Sequence, residues 1–186
     1  GTSKWIDKTK SQTARLTELV NSLVTLSRMD EEDSRLTFDD FNIGAALNDM
    51  AADFGEAATA ARLELCTVAP DIIYRGDEKA IRQMMSILFD NAIKYADNIE
   101  PVIFSAAPCH KGVILKCSNA CHNMTADDAG KLFDRFYRPD KSRSLSTGGF
   151  GIGLSIARSI AENHNGSASA TYSNGLLTIT IKLGKC

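Results

Sequence analysis

The sequence predicts an α+β fold in which one sheet is covered on one face by helices and a long helix comes first. Three observations support this prediction. A strongly amphipathic pattern spans residues 78–95, short strand-like runs recur through the second half, and Asn174-Gly175 marks a hairpin between the last two strands. With 186 residues, 44% of them hydrophobic, the chain can bury a substantial core.

Composition and charge exclude several classes of protein. The net charge of -2 is spread evenly, so nothing favours a nucleic-acid partner. No apolar run is long enough to span a membrane, and no signal peptide is visible. The five cysteines are irregularly spaced, which suits a reducing compartment. Because the first residues already have a helical pattern, we expect the chain to be a piece of a longer protein.

Residues 4–30 are predicted to form one helix. Apolar or small residues follow the three–four step of a coiled-coil seam, at Ile6, Thr9, Thr13, Leu16, Val20 and Leu23. The helix could pack on its own domain, but the length of the stripe favours pairing with helices outside it. A charged joint at 30–34 then divides the chain into residues 1–34 and a globular domain, 35–186.

The globular domain is predicted element by element. A strand at 35–41 precedes an Ala-rich helix at 43–61, and short strands follow at 62–68 and 71–75. Asp77 is predicted to cap the helix at 78–95. It also ends an Arg-Gly-Asp tripeptide, but the capping role is favoured over an adhesion signal. Strands at 101–107 and 112–118 precede a polar loop at 119–150, a helix at 151–164 and the final hairpin. A loop of this length is typical of a lid or a binding loop.

The glycine-rich stretch GGFGIGLSIARSI, residues 148–160, is a candidate phosphate site. Gly149, Gly151 and Gly153 allow a close backbone approach, and the helix that follows offers unpaired N–H groups. A flexible turn is the alternative. A dinucleotide fold needs its glycines after the first strand of a βαβ unit, and a P-loop needs Gly-Lys-Ser/Thr, so neither fits.

The stretch DNAIKY, residues 90–95, is a second candidate site. Asn91, Lys94 and Tyr95 share one helix face. An asparagine carbonyl suits Mg²⁺ held jointly with nucleotide phosphates, and lysine adds a point charge for the same phosphates. The alternative is a solvated polar helix end.

The stretch KLFDRFYRPDKSRS, residues 131–144, combines an aromatic anchor with several cations. One interpretation has the aromatic residues seating a lid while one arginine reaches a transferring phosphate. The other is a packed lid with incidental charge. Which arginine acts is open. The residues concerned are Leu132, Phe133, Phe136 and Tyr137 for the anchor, and Arg135, Arg138, Lys141 and Arg143 for the charge.

The stretch KCSNACHNMT, residues 116–125, places two cysteines and a histidine in a Cys-x₃-Cys-His pattern. A metal site would need a fourth ligand, and nothing nearby supplies one at ligand spacing. A reactive thiol at Cys121 stays possible.

The three motifs in this order resemble the N box, F box and second glycine box of bacterial sensor histidine kinases. Residues 5–32 resemble the second helix of that family's dimerisation hairpin. The resemblance implies a two-layer sandwich with a mixed sheet, of the type also found in gyrase and heat-shock chaperone ATPases, which binds ATP and Mg²⁺. It also implies phosphotransfer to a histidine on the dimerisation helix, relay to a response regulator, and a homodimeric parent. Such a domain is cytoplasmic, with the parent anchored in the inner membrane.

The resemblance also implies roles for individual residues. Asn91 would hold Mg²⁺, and Lys94, Arg138 and Arg143 would serve phosphotransfer. The residues expected to contact the nucleotide are Asn91, Lys94, Tyr95, Asn119, Met124, Phe133, Gly149, Gly151, Gly153 and Leu154.

Residues 119–124, NACHNM, occupy the place of the family's first glycine box, Asp-x-Gly-x-Gly-Ile. Asn119 replaces the aspartate that accepts a hydrogen bond from adenine, and Cys121 and Asn123 replace the glycines. A neutral acceptor should weaken the adenine contact by about 1 kcal/mol, roughly five- to tenfold in affinity. Cys121 would also tolerate a positive φ poorly.

Two rival functions remain. ATPases of the same fold resemble one another in having a glutamate four residues before the N-box asparagine, where this chain has Ile87, which cannot act as a base. A non-catalytic ATP sensor is the other rival. The family's phosphoacceptor is a histidine followed by an acid, and His110, His122 and His164 all lack one. We expect His164 to end its helix and the other two to lie in surface loops.

Overall fold

A computed structural model describes residues 36–97, 100–139 and 150–185, with positions 5, 6, 9, 10, 13, 16, 17, 20 and 24. The described strands are β1 (Asp39–Asn42), β2 (Leu65–Val68), β3 (Ile73–Gly76), β4 (Val102–Cys109), β5 (Gly112–Ala120), β6 (Ser167–Ser173) and β7 (Leu176–Gly184). The helices that the structure delimits are α1 (Ile43–Asp53), α2 (Gly55–Ala60), α3 (Glu78–Tyr95), α4 (Ala126–Lys131) and α5 (Gly153–Asn163).

Five strands form a mixed sheet in the order β2-β4-β5-β7-β6. β2 and β4 are parallel, and the other neighbours are antiparallel. β1 and β3 pair separately as a small antiparallel sheet, so the prediction of one sheet is wrong in this respect. The predicted α+β sandwich with a mixed sheet is confirmed.

One face of the large sheet carries the helices. α1 contacts β2 and β4, α3 contacts β5, and α5 contacts β6 and β7. Alternate strand residues point into this interface because side chains alternate along a strand. At its centre Phe89 of α3 stacks on Phe104 of β4 and on Phe54. The strand residues buried there include Val102, Phe104, Ala106, Val113, Leu115, Cys117, Leu177, Ile179, Ile181 and Leu183.

α3 has the bounds that the sequence predicts. Asp77 caps its start, since its side chain accepts a hydrogen bond from the N–H of Ala80 at 2.9 Å, and Ala96 ends it in an extended conformation. The predicted apolar stripe is buried except at Ile93, which is only partly covered. Packing of this stripe on β5 and α5 therefore positions the polar C-terminal end of the helix.

α5 ends where the sequence predicts, at His164. This residue is completely buried, and its Nδ1 donates to the carbonyl of Ile160 at 2.7 Å. Its Nε2 accepts from the N–H of Asp77 at 3.1 Å, which joins the end of α5 to the start of α3.

The predicted hairpin is also confirmed. Asn174 and Gly175 connect β6 to β7 with φ values of 52° and 78°. Two successive positive φ values are the signature of a type I′ turn, which matches the twist of the paired strands.

Two predicted stretches differ in detail. The helix predicted at 43–61 is interrupted at Phe54 and becomes α1 and α2. The loop predicted at 119–150 begins inside β5 and contains α4. Thr125 explains this short helix, because its hydroxyl and the Asp128 carboxylate form a reciprocal capping box.

The described positions of the N-terminal segment are helical and exposed, as predicted for this region. Thr9 and Thr13 donate to the carbonyls of Trp5 and Thr9, one helical turn back. Leu23 of the predicted seam lies outside the described residues. Within the described part of the chain, no helix has both the length and the apolar character of a membrane span.

Candidate functional site

The C-terminal end of α3 carries the predicted polar face. Asn91 and Lys94 are partly exposed there and Tyr95 is exposed, and their spacing places all three on one side of the helix. Lys94 pairs with Asp90, its Nζ lying 2.7 Å from the carboxylate. The Asn91 side chain makes no hydrogen bond to any described residue, so its carbonyl is available to a ligand.

Arg138 lies next to this face. Its guanidinium is 3.4 Å from the hydroxyl of Tyr95, so the structure brings an F-box cation to the end of α3. Arg143 and Gly149, also predicted as site residues, lie outside the described residues.

The glycines at the start of α5 serve packing within the chain. Gly151 has a φ of 72°, and a Cβ there would lie 2.7 Å from the carbonyl oxygen of Tyr137. The carbonyl of Gly151 also accepts from the N–H of Phe136 at 2.9 Å. The predicted close approach of a ligand to these glycines stays a prediction; at 151 the 136–137 backbone by itself already requires a glycine. A Cβ on Gly153 would lie 3.3 Å from Ile87 of α3.

The first turn of α5 keeps donors for an anion. Its N-cap residue, Ile152, provides no side-chain hydrogen bond. The first N–H groups of a helix have no partner within it, and the positive end of the helix dipole lies at the same place. Leu154 is buried and anchors this turn in the core.

The F-box residues are divided between the core and the surface. Phe133 is buried, and the guanidinium carbon of Arg158 lies 5.0 Å from the centre of its ring. Phe136 is 60% exposed with a φ of 66°, so the prediction that it helps to anchor the lid is wrong. The backbone is left-handed at Phe136, and the ring lies at the surface.

Tyr137 is held by α4. Its hydroxyl donates to the carboxylate of Asp128, and this bond raises the pKa of Tyr137 to about 12. Hydrogen bonds from Thr125 and then Tyr137 lower the pKa of Asp128. α4 therefore fixes the chain just before Arg138.

The altered glycine box lies at the end of β5. Asn119 is 2% exposed on the side of the sheet that faces the helices, and its Nδ2 donates to the carbonyl of Ala120 at 3.1 Å. Met124 packs against the core. Neither Cys121 nor Asn123 has a positive φ, so the predicted backbone penalty does not arise. The turn has another shape, in which Cys121 donates its N–H to the carbonyl of Gly175 at 2.8 Å.

The cysteine-histidine pattern does not come together as a metal centre. Burial raises the pKa of Cys117 to about 12, which keeps the thiol protonated. Among the described residues, no group of three or more His, Cys, Asp or Glu could hold a metal ion.

His122 and Asp97 form a contact that the sequence did not reveal. Asp97 accepts from the N–H of His122 at 2.7 Å and contacts its Nδ1 at 2.9 Å. His122 is exposed, as predicted, but it connects the altered glycine box to the segment after α3. No local pattern marks this pair, whereas Thr125-x-x-Asp128 could have been recognised as a capping box.

Comparison with known protein families identifies the domain. Residues 76–185 match the family described as histidine kinase-, DNA gyrase B-, and HSP90-like ATPase. The chain belongs to this ATPase family. The matched region of the ATPase domain includes α3, the F box and α5, and so all the site residues above.

Curated relatives of this ATPase domain are bacterial sensor kinases. Sensor protein DltS of Streptococcus agalactiae is 31% identical over 186 residues, covering 97% of this chain and 46% of DltS. Signal transduction histidine-protein kinase BaeS of Escherichia coli is 31% identical over 184 residues, covering 98% of this chain and 39% of BaeS. The chain thus spans less than half the length of these relatives.

Solved structures share the fold of the ATPase domain. The histidine kinase AdeS of Acinetobacter baumannii superposes with a TM-score of 0.78 at 24% identity, over 94% of this chain and 80% of that one. Histidine kinase ThkA, solved in complex with response regulator protein TrrA, has a TM-score of 0.77 at 20% identity. That match covers 98% of this chain and 51% of ThkA.

Proposed function

We propose that this chain is the ATP-binding catalytic domain of a sensor histidine kinase. The domain transfers the γ-phosphate of ATP to a histidine on a dimerisation helix, for relay to a response regulator. One observation carries the proposal: the polar end of α3, with Asn91 and Lys94, lies beside Arg138, while the start of α5 lacks a side-chain cap.

These groups match the needs of phosphoryl transfer. Such a reaction depends on positioning and on neutralising charge over the phosphate oxygens. Asn91 would hold Mg²⁺ through its carbonyl, and the metal would neutralise phosphate charge when bound. Lys94 and Arg138 would add positive charge, and the first N–H groups of α5 would bind the phosphate chain. The imidazole nitrogen then attacks the γ-phosphorus, a P–N bond forms, and ADP leaves with the electrons of the broken P–O bond.

The proposal extends to partners and location. Residues 1–34 would be the second helix of the dimerisation hairpin, and the parent would be a homodimer that phosphorylates a response regulator. The domain would lie in the cytoplasm, with the parent anchored in the bacterial inner membrane. The names of the relatives support the kinase assignment, and the response regulator solved with ThkA supports that class of partner.

Two other functions remain as outcomes of the test. ATP hydrolysis needs a base near the N-box asparagine, and the side chain there is Ile87, packed against Gly153. A non-catalytic ATP sensor would be consistent with the altered residues 119–124.

The decisive experiment supplies a separate phosphoacceptor hairpin that carries a histidine followed by an acid. With labelled ATP and Mg²⁺, we expect acid-labile label on the hairpin and none on the chain incubated alone, because His110, His122 and His164 lack the adjacent acid. Release of inorganic phosphate without transfer would indicate an ATPase. Binding of ATP without either reaction would indicate a sensor, and label on a histidine of the chain itself would contradict the proposal.

A further inference from the structure

The choice of base at Asn119 depends on how its amide is oriented, which would not be so for an aspartate. A carboxylate offers acceptors in every orientation, whereas an amide has an acceptor at one end and a donor at the other. Adenine carries an amino group at the position where guanine carries a carbonyl. An Asn119 that presents its oxygen therefore favours adenine, and one that presents its nitrogen favours guanine.

The structure shows which end of the Asn119 amide forms a hydrogen bond within the chain. Nδ2 of Asn119 lies 3.1 Å from the carbonyl oxygen of Ala120. A rotated amide would place two acceptor oxygens against each other, so the nitrogen must lie on this side. The side-chain oxygen of Asn119 makes no hydrogen bond to any described residue. No fully enclosed side-chain polar atom of the described residues lacks a partner, so this oxygen keeps some access to a ligand.

The carbonyl of Ala120 is itself held in place. It accepts a second hydrogen bond, from the N–H of Asp97 at 2.9 Å. Two positions further on, the N–H and Nδ1 of His122 both bind the Asp97 carboxylate, at 2.7 and 2.9 Å. The ring of His122 lies over the hairpin turn, where a Cβ on Gly175 would be 3.1 Å from Nε2. Asp97 and His122 thus fix the carbonyl that orients Asn119.

We propose that His122 and Asp97 form a positioning pair that locks the amide of Asn119 with its oxygen toward the base, so that the site selects adenine over guanine. The inference rests on the proposed ATP binding. It explains how Asn119, in a turn without glycines, can take the place of the aspartate in the family's first glycine box.

The test measures dissociation constants of ATP and GTP by calorimetry for the unchanged protein, His122→Ala and His122→Asn. His122 is 59% exposed, so these substitutions should leave the fold intact. His122→Ala keeps the backbone N–H that binds Asp97 but loses the Nδ1 contact, so Asp97 and the Ala120 carbonyl are held less firmly and the Asn119 amide can rotate to present its donor. We therefore expect ATP to bind about three- to tenfold more weakly and GTP to bind equally well or better. His122→Asn should retain the selectivity, since the amide N–H takes the place of the Nδ1 donor.

The pattern of losses distinguishes this role from a structural one. If His122→Ala weakens ATP and GTP by the same factor, the pair supports the fold alone and the inference is wrong. A further control is Asn119→Asp, whose side chain is an acceptor in both orientations. Adding His122→Ala to Asn119→Asp should leave the ATP-to-GTP ratio unchanged; the same drop in both backgrounds would contradict the lock.

The result for the unchanged protein separates the two proposals. If it binds no ATP, both the proposed function and this inference fail. If it binds ATP and His122→Ala leaves the ATP-to-GTP ratio unaltered, only the inference fails.

Discussion

At the residue scale, His164 joins parts of the chain that are far apart in sequence. Its two ring nitrogens bind the carbonyl of Ile160 and the N–H of Asp77, so Nδ1 is the donor and Nε2 the acceptor. The ring of Phe38 contacts it edge-on, at 5.3 Å between centroids. Asp77 in turn accepts from the N–H of Thr37 at 3.2 Å. The start of α3, the end of α5 and the segment that enters the domain therefore meet at one buried side chain.

Replacing this side chain should destabilise the whole domain. His164→Ala leaves the N–H of Asp77 without its partner and creates a cavity, so we expect the free energy of unfolding to fall by about 2–4 kcal/mol. Urea unfolding followed by circular dichroism measures this change. His110→Ala, in the exposed turn after β4, is the control and should change the value by less than about 0.5 kcal/mol. Similar values for both variants would mean that the buried contacts of His164 contribute little.

Asn91 is the residue on which the proposed metal binding depends. Asn91→Ala should abolish Mg²⁺-dependent ATP binding, because it removes the carbonyl oxygen that is proposed to hold the metal. The fold should persist, since Asn91 is only partly buried and makes no hydrogen bond within the described residues. Calorimetric titration with and without Mg²⁺, alongside circular dichroism, tests both points. Gln83→Ala, exposed earlier on the same helix, should bind normally; unchanged binding in Asn91→Ala would place the metal elsewhere.

At the element scale, α4 depends on its cap. The helix has only six residues, too few to be stable alone. The carboxylate of Asp128 accepts from the N–H and the hydroxyl of Thr125, at 2.9 and 2.6 Å. The same carboxylate binds Tyr137, so the cap also fixes the F box.

Removal of the cap should have an effect that depends on pH. Thr125→Ala should cost about 1 kcal/mol of stability at neutral pH. The lowered pKa of Asp128 means that this stabilisation is present above the ordinary carboxyl value of about 3.9 and is lost as the pH falls through the folded-state value. The difference between variant and unchanged protein should therefore shrink as the pH falls below the ordinary carboxyl value. Urea unfolding of both proteins, at neutral pH and in acid, measures this difference in stability. A difference that does not change with pH would exclude the ionised Asp128 carboxylate as its source.

At the scale of the whole molecule, the two ends of the α3–α5 helix pair have different roles. The candidate site lies where α3 ends and α5 begins, and His164 lies where α5 ends and α3 begins. The chain enters the domain beside His164, through Thr37 and Phe38. The N-terminal segment is thus connected to the far ends of the two helices that carry the site.

The N-terminal segment should mediate self-association. Leu16 and Val20 of the predicted seam are 61% and 50% exposed, and a partner helix would bury them. Sedimentation should show a monomer–dimer equilibrium that disappears when residues 1–30 are removed. Leu16→Glu should weaken the dimer by placing a charge in the seam, whereas Lys8→Glu, at position c of the same heptad pattern, should not. Equal dimerisation of the truncated protein would place the interface on the globular domain.

Local patterns accounted for most of the elements. The bounds of α3, the end of α5 and the hairpin at Asn174-Gly175 depend on caps, apolar periodicity and turn residues that lie close together in sequence. The interruption at Phe54 and the short helix α4 were missed. The sequence holds a signal for each, since Gly55 follows Phe54 within the Ala-rich run and Asp128 stands three residues after Thr125.

The sequence by itself determined the family, the α+β class and the order of the three motifs, because each motif is a short run with its own chemistry. Only the tertiary structure decided which distant groups meet. His164 and Asp77 are 87 positions apart, and His122 and Asp97 are 25 apart. Gly151 requires its glycine because the 136–137 backbone lies against it. Such contacts follow from packing helices on a mixed sheet, which brings together residues that no local pattern connects.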